Sequence, residues 1–264
     1  MGVLNVTPDS FSDGGRYLDH AGAVARGKAM VEEGARVLDV GGESTRPGAA
    51  PVGEDEELSR VVSVVEELAA CSAVIDRSIR ISIDTRHVAV AIAAVAAGAT
   101  IINDVSAGLY EVAADLGVGW VAMHMKGDPR TMQDEPVYKS VVAEVYDFLI
   151  ERATMAVAAG VPEVWVDPGI GFGKTTAHNL ALLHDLDLLV GSGWPLVLGA
   201  SRKRFLGELS ARSDRIAGEA DWVTPPDDRA EASVAMATWA FAHGVKIVRA
   251  HDVRATVIAA KVVG

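Results

Sequence analysis

The chain contains 264 residues, of which 50% are hydrophobic, and carries a formal net charge of -12. This length suffices for one large core, and the acidic balance argues against a protein that binds nucleic acids or membrane surfaces in general. The single cysteine, Cys71, excludes an intrachain disulfide and a thiolate metal cluster, and it fits a reducing compartment. Because the sequence shows neither a run of about 18–20 apolar residues nor a signal-peptide pattern, we expect a cytoplasmic protein.

Short apolar runs alternate with longer amphipathic stretches, which is the pattern of strands followed by helices. The predicted strands cover residues 1–6, 36–40, 80–83, 100–102, 120–123, 164–166, 195–198 and 247–248. The predicted helices cover residues 21–33, 55–70, 87–97, 111–116, 141–159, 175–190, 230–242 and 253–262. Two polar segments, 126–136 and 213–228, are predicted to be a loop and a surface excursion.

Repeated βαβ units of this kind indicate a parallel sheet. Eight parallel strands in a chain of this length favour closure into a barrel. We therefore predict an α/β fold, a (β/α)8 TIM barrel with residues 1–264 in a single domain. An open, doubly wound sheet is the alternative.

Polar side chains follow every predicted strand. In chain order they are Asn5, Asp39, Asp84, Asn103, His124, Asp167, then Ser201 with Arg202 and Lys203, and finally Arg249 with His251. Because the C-terminal ends of barrel strands meet at one mouth, where active sites of this fold lie, the pattern favours a ligand site. Singly, such residues have structural explanations. Asp104 and Thr85 suit a cap or turn, Glu43 a salt bridge to a neighbouring loop, and His124 a packed, hydrogen-bonded position.

The polar set divides into two chemistries. Side chains suited to phosphate follow strands seven and eight, the usual phosphate position in this fold; they are Ser201, Lys203, Arg249 and His251. Side chains suited to a small ring with several N–H donors follow other strands; they are Asp84, Asn103 and Asp167. A carboxylate can accept two N–H bonds from one ring edge. The sequence therefore predicts that one part of the mouth binds a phosphate and another part binds a donor-rich heterocycle.

Two other kinds of site are disfavoured. The sequence has no His-Glu-x-x-His motif, no clustered histidines and no cysteine pair, so a zinc site lacks ligands. The glycine-rich segment 167–174 (DPGIGFGK) does not have the Gly-x-Gly-x-x-Gly spacing, and its carboxylate would repel a pyrophosphate. A nicotinamide dinucleotide site is therefore not expected.

The order of motifs resembles that of the dihydropteroate synthase family of pterin-binding enzymes. The first two segments, 3–15 (VLNVTPDSFSDGG) and 34–48 (GARVLDVGGESTRPG), are long and specific. The later segments are short: 82–85 (SIDT), 103–106 (NDVS), 123–125 (MHM), 167–174, 201–207 (SRKRFLG) and 249–253 (RAHDV). The chain departs from the family at Ala107, often a glycine, and at Ala250, usually a larger apolar residue.

The resemblance implies a transferase of folate biosynthesis. Such an enzyme condenses (7,8-dihydropterin-6-yl)methyl diphosphate with 4-aminobenzoate (p-aminobenzoate) to give 7,8-dihydropteroate and diphosphate, by dissociative loss of diphosphate. The resemblance also implies a homodimer, a p-aminobenzoate pocket open to sulfonamides, and mobile loops at residues 7–15 and 44–48 that close over the site.

The resemblance further implies residue roles. The implied catalytic residues are Asn5, Asp84, Lys203, Arg249 and His251, with Asn5 as the ligand of Mg2+. The implied contacts of the pterin diphosphate are Thr45, Asp84, Asn103, Met123, Asp167, Gly199, Lys203, Arg249, Ala250 and His251. The implied contacts of p-aminobenzoate are Thr45, Arg46, Pro47, Phe172, Ser201 and Lys203. Met123 also suits barrel filling.

Two alternatives remain beside this interpretation. A pterin-binding methyltransferase-type barrel resembles the chain in its Asp and Asn pterin contacts, but not in the two long loop motifs. A catalytically silent paralogue is expected to have lost Asn5, Arg46, Lys203 or Arg249, and all four are present.

Overall fold

The computed structural model describes residues 1–7, 16–43, 51–128, 131–214 and 223–264. The strands of this part are β1 (Gly2–Asn5), β2 (Val37–Gly41), β3 (Arg80–Asp84), β4 (Ile101–Asp104), β5 (Gly119–Met123), β6 (Val164–Asp167), β7 (Val197–Leu198) and β8 (Ile247–Val248). Strands β1 to β6 form one parallel sheet in chain order, and β7 pairs with β8. All eight predicted strands are therefore present.

Two bridges close the barrel. A parallel bridge between Val166 and Leu196 joins β6 to the start of β7, and another between Gly2 and Ala250 joins β8 to β1. The Val3 N–H donates to the Ala250 carbonyl at 3.0 Å, and the Ala250 N–H donates to the Met1 carbonyl at 2.9 Å. The predicted (β/α)8 barrel is confirmed, and the alternative of an open sheet is wrong.

The helices of the described residues surround these strands. They are α1 (Arg16–Glu32), α2 (Glu54–Ala69), α3 (Ser72–Asp76), α4 (Val88–Ala96), α5 (Tyr110–Leu116), α6 (Val141–Ala159), α7 (Thr176–His184), α8 (Leu186–Val190), α9 (Arg204–Asp214), α10 (Ala230–Ala242) and α11 (Val253–Val263). None of them combines the length and hydropathy that crossing a bilayer requires.

The helix prediction was wrong at three places. The predicted helix 175–190 is two helices that meet at Asp185, because the apolar spacing continues across a break in the backbone. Helices α3 and α9 were not predicted. Among the residues of α9 whose burial is described, the deeply buried apolar side chains are Phe205, Leu206 and Ala211, too few for periodicity to reveal the helix. It also extends into the segment 213–228, where we predicted a surface excursion.

Most strand residues are buried on both faces of the sheet, as in barrel strands. One face contributes residues such as Leu38, Val40 and Ile83 to the large core beneath the helices. The other face points into the barrel. Its lower part is a small apolar cluster of Val37, Ile101, Val121 and Val197, packed against Met1, Trp165 and Ile247.

Side chains alternate along a strand, so positions two and four residues beyond this interior cluster also point inward. In β2 these positions are Asp39 and Gly41, in β4 Asn103, and in β5 Met123. The interior of the barrel thus changes from apolar to polar toward the C-terminal ends of the strands. The fold places the predicted site residues by this alternation.

Candidate active site

One row of residues crosses the first four strands at the barrel mouth. Asn5 is the register partner of Gly41, Gly41 of Asp84, and Asp84 of Asn103. Gly41 adds no side chain to this row, and a Cβ there would lie 3.6 Å from Asp84 Oδ2. The register therefore brings Asn5, Asp84 and Asn103 to the same level of the barrel mouth, and Gly41 leaves space open beside Asp84.

Arg249, which follows β8, forms two ion pairs inside the mouth. Its Nε donates to Asp39 Oδ2 and its Nη2 donates to Asp84 Oδ2, both at 2.5 Å. Burial opposes the charge, but Asp39 and Asp84 raise the pKa of Arg249 above its ordinary value. Burial also raises the pKa of Asp84 to about 7, although Arg249 acts in the opposite direction.

Asp167 and Gly199 form another part of the mouth, next to Arg249. The Gly169 N–H donates to Asp167 Oδ1 at 2.7 Å, which fixes the carboxylate. A Cβ at Gly199 would lie 3.7 Å from Asp167 Oδ2 and 3.8 Å from Arg249 Cβ, so the glycine keeps a slot open between those two side chains. Burial raises the pKa of Asp167, while Lys203 nearby lowers it. Met123 is buried at the inward end of β5.

Lys203 lies against the glycine-rich segment after β6. Its Nζ donates to the Ile170 carbonyl and lies 4.2 Å from the centroid of the Phe172 ring. Burial lowers the pKa of Lys203 to about 7, although Asp167 raises it. The structure therefore brings Lys203 together with Phe172, two residues implied for the p-aminobenzoate pocket.

The loops after β7 and β8 lie side by side, as the predicted phosphate site requires. The His251 N–H donates to Ser201 Oγ at 3.2 Å, and His251 Nδ1 lies 3.0 Å from the same oxygen. Helix α11 begins two residues later at Val253, so its positive end is close by. Ala250 is 3% exposed, and its main chain closes the barrel.

For three polar residues the sequence allowed either a structural role or a role in the ligand site, and in the structure each has contacts of the structural kind. Asp104 is fully buried and accepts hydrogen bonds from the Ser106, Gly108 and Leu109 N–H groups and from the Trp120 indole. Glu43 pairs with Arg86 through both carboxylate oxygens at 3.0 Å. His124 is 6% exposed, and burial lowers its pKa to about 3.

Sequence reasoning missed two charged residues of this region. The sequence analysis named Asp39 only among the polar residues at the ends of the predicted strands and gave it no role. Its position in an otherwise apolar strand, on the face that points into the barrel, is the signal that could have indicated one. Lys174 is 2% exposed, and its Nζ donates to the carbonyl groups of Gly169 and Phe172 at 3.0 and 3.1 Å. Only the fold reveals that role, because the carbonyl groups belong to a turn that local sequence does not specify.

Three predicted site residues, Thr45, Arg46 and Pro47, lie outside the described residues, as do residues 8–15 and 44–50 that contain most of the predicted loops.

One cluster of the described residues has the ligand atoms of a metal site. Atoms of Glu43, Glu57 and His87 lie within 4.8 Å of one another. Glu43 is already paired with Arg86, and Glu57 Oε2 lies 2.6 Å from His87 Nδ1. The cluster does not include Asn5.

Comparison with known proteins agrees with this geometry. The family model described as "Pterin binding enzyme" matches residues 1–251. The dihydropteroate synthase of Mycobacterium leprae is 51% identical over 272 residues, which cover 100% of this chain and 92% of that protein. The chain belongs to the dihydropteroate synthase family.

Solved structures of this family share the fold. The dihydropteroate synthase of Xanthomonas albilineans, solved with 4-aminobenzoic acid, is 47% identical with a TM-score of 0.86, covering 99% of this chain and 90% of that one. The dihydropteroate synthase of Yersinia pestis, solved in a complex with a sulfonamide drug, is 41% identical with a TM-score of 0.87, covering 100% of this chain and 92% of that one. This member of the dihydropteroate synthases is therefore a transferase with a TIM-barrel fold.

Proposed function

We propose that the barrel mouth condenses (7,8-dihydropterin-6-yl)methyl diphosphate with p-aminobenzoate to give 7,8-dihydropteroate and diphosphate. The observation that carries the proposal is the row of Asn5, Asp84 and Asn103 beside Arg249. This arrangement places hydrogen-bond acceptors for a donor-rich ring, on Asp84 and Asn103, next to the Arg249 cation, which can stabilise the leaving group. The 4-aminobenzoic acid in the X. albilineans enzyme and the sulfonamide drug in the Y. pestis enzyme support a pocket for p-aminobenzoate and its analogues.

The pterin occupies the slot beside Gly199 in this proposal. Asp84 and Asp167 accept N–H groups of the ring, and Asn103 supplies both a donor and an acceptor. Lys203 bonds to a ring acceptor, and the Arg249 guanidinium lies over the ring face, where a cation is attracted to a π system. Met123 and Gly199 form the walls.

The chain stabilises the leaving group. The C–O bond to the diphosphate breaks, and its electron pair stays on the diphosphate oxygen. Arg249, His251 and the positive end of α11 then balance the added negative charge, a preorganised electrostatic contribution. The methylene cation is delocalised into the pterin. The amine of p-aminobenzoate supplies the electron pair of the new C–N bond and releases a proton, so no strong base is required.

The residues present fit Mg2+. This ion usually keeps several waters and takes one or two protein oxygens together with substrate phosphates. Asn5 offers one amide oxygen at the end of β1, the strand that the bridge between Gly2 and Ala250 joins to β8, and we assign it as the protein ligand. When bound, Mg2+ neutralises charge on the diphosphate.

The p-aminobenzoate pocket combines Phe172, Lys203 and Ser201 with Thr45, Arg46 and Pro47 in our proposal. Lys203 and Phe172 are in contact, and Ser201 lies on the same loop as Lys203. A guanidinium such as that of Arg46 suits a carboxylate because it offers a planar pair of donors.

The test is diphosphate release from 6-hydroxymethyl-7,8-dihydropterin diphosphate with Mg2+, in the presence and absence of p-aminobenzoate. We expect one dihydropteroate for each diphosphate released when the amine is present. Arg249→Ala is expected to lower kcat by about 10²–10³-fold, because it removes a charge that acts on the leaving group. The control is Arg254→Ala on the exposed side of α11, with normal turnover expected. Pterin binding without turnover, or near-normal turnover of Arg249→Ala, would contradict the proposal.

We propose that residues 1–264 form one domain, that the enzyme is cytoplasmic, and that two copies form a homodimer. The exposed apolar side chains of Trp239 on α10 and of Ile258 and Val262 on α11 support a homodimer. Sedimentation velocity should give twice the chain mass, and substitution of these three residues by serine should give the monomer.

A further inference from the structure

We propose that Asp39 is a positioning residue for the reaction, which anchors Arg249 by its Nε while the terminal nitrogens of that guanidinium move from Asp84 to the substrate. The inference rests on the proposed function. Asp39 lies in the row beneath the mouth, opposite Ser82 in the register of β2 and β3. It therefore acts through its neighbours.

Burial of the Asp39 carboxylate is unfavourable for the folding free energy. Its side chain is fully buried, and its inward neighbour on β2, Val37, belongs to the apolar cluster of the barrel interior. Asp39 Oδ1 and the Oγ of Ser82 are both buried with no hydrogen-bond partner among the described residues. Apolar residues of similar volume often replace a buried ion pair without loss of stability. The carboxylate is therefore better explained by a role in the site than by stability.

Asp39 and Asp84 hold different parts of the Arg249 guanidinium. Asp39 Oδ2 accepts from Nε, next to the side-chain stem, whereas Asp84 Oδ2 accepts from the terminal Nη2. When a pterin N–H donates to Asp84, it competes with Arg249 Nη2 for that carboxylate. No pterin group competes with Arg249 Nε for Asp39. Arg249 can then turn about the atom that Asp39 holds. The charge stays in the mouth, and its terminal nitrogens become available to the diphosphate.

Asp39 also fixes the amide of Asn103. Asn103 Nδ2 donates to the same Oδ2 atom of Asp39 at 3.1 Å. A carboxylate only accepts hydrogen bonds, so Asp39 determines which end of the amide faces it. One N–H and the carbonyl oxygen of Asn103 remain for the pterin. Asp39 Oδ2 thus positions both Asn103, which binds the pterin ring, and Arg249, which stabilises the leaving group.

The experiment is a double-mutant cycle with Asp39→Asn and Arg249→Ala, measured as kcat/KM for the pterin diphosphate and as KM for p-aminobenzoate. We expect Asp39→Asn to lower kcat/KM by about 10- to 100-fold, the effect of losing one charge-assisted hydrogen bond. The KM for p-aminobenzoate should change less than about 3-fold, because the hydrogen bonds of Asp39 go to Asn103 and Arg249 and to none of the described p-aminobenzoate residues. In the Arg249→Ala background the effect of Asp39→Asn should fall below about 5-fold.

The matched control is Asp104→Asn, another fully buried carboxylate, whose bonds serve the turn after β4. It should lower the Tm with less effect on kcat/KM than Asp39→Asn. Equal factors for Asp39→Asn in both backgrounds would overturn the role of Asp39. Absence of dihydropteroate from the unsubstituted enzyme would contradict the proposed function instead.

If Asp39→Asn does not fold, Asp39→Ser and a crystal structure of the unsubstituted enzyme with pterin diphosphate test the same point. The structure should keep the bond from Arg249 Nε to Asp39 and lose the bond from Nη2 to Asp84. A structure in which Nε leaves Asp39 would overturn the inference.

Discussion

Asp84 and Lys203 come from different strands of one mouth, and burial moves their pKa values toward each other. The carboxyl of Asp84 has its pKa raised to about 7, and the ammonium of Lys203 has its pKa lowered to about 7. The proposed reaction requires both charged forms, because Asp84 accepts N–H groups and Lys203 donates. The free enzyme then has both groups charged only over a narrow pH range.

We expect a narrow bell-shaped pH profile of kcat/KM for the pterin diphosphate, which reports the free enzyme. The rate rises as Asp84 loses its proton and falls as Lys203 loses its own, both near pH 7. Lys203→Arg keeps the charge at all these pH values, so it should remove the alkaline fall while retaining the acid limb. An alkaline limb that is unchanged in Lys203→Arg would show that another group causes it.

At the level of elements, Arg202 links the loop after β7 to the start of α11. Its Nε and Nη2 donate to the two carboxylate oxygens of Asp252 at 3.1 and 2.7 Å. Its φ angle of 59° is in the left-handed region, which is costly for a residue with a side chain. The main chain is held there by Ser233 Oγ, which accepts from its N–H at 2.9 Å. This link fixes the two loops that supply Ser201 and His251.

Arg202→Ala should therefore raise the KM for the pterin diphosphate and lower the free energy of unfolding by about 1 kcal/mol, a modest value because the pair is partly exposed. Asp252→Asn should give a similar result, and the double variant should be little worse than either. Urea unfolding and steady-state kinetics measure the two effects. Arg204→Ala, which removes an exposed pair with Glu208, is the control and should change stability by less than about 0.5 kcal/mol. Fully additive effects of the two substitutions would contradict the link.

For the whole molecule, the sequence predicted the barrel because eight apolar runs are each followed by polar residues and then by a predicted helix. It also predicted which polar residues meet, since the C-terminal ends of parallel strands share one mouth. It did not predict the pairing of Arg249 with Asp39, which are 210 positions apart and meet only because β8 closes against β1. Helix α9 was missed for a local reason, its short apolar face. The pairing of side chains across the junction of β8 and β1 depends on the tertiary fold, so local sequence patterns cannot predict it.

Two buried lysines should make the stability of the whole molecule depend on pH. Burial lowers the pKa of both Lys174 and Lys203 from 10.5 to about 7. Between these values the unfolded chain binds more protons than the folded one, so the free energy of unfolding rises with pH. Each lysine contributes at most about 1.4 kcal/mol per pH unit in this window.

Urea unfolding at about pH 7.5 and 9.5 should therefore show greater stability at the higher pH. Lys174→Met should be less stable at both pH values, because it leaves the Gly169 and Phe172 carbonyl groups without their buried donor. It should also reduce the rise with pH, since one of the two shifted groups is gone. The exposed Lys261→Met is the control and should leave the slope unchanged. A stability that is flat or falls between these pH values would mean that the two ammonium groups are not destabilised by burial, and the alkaline limb assigned to Lys203 would lose its physical basis.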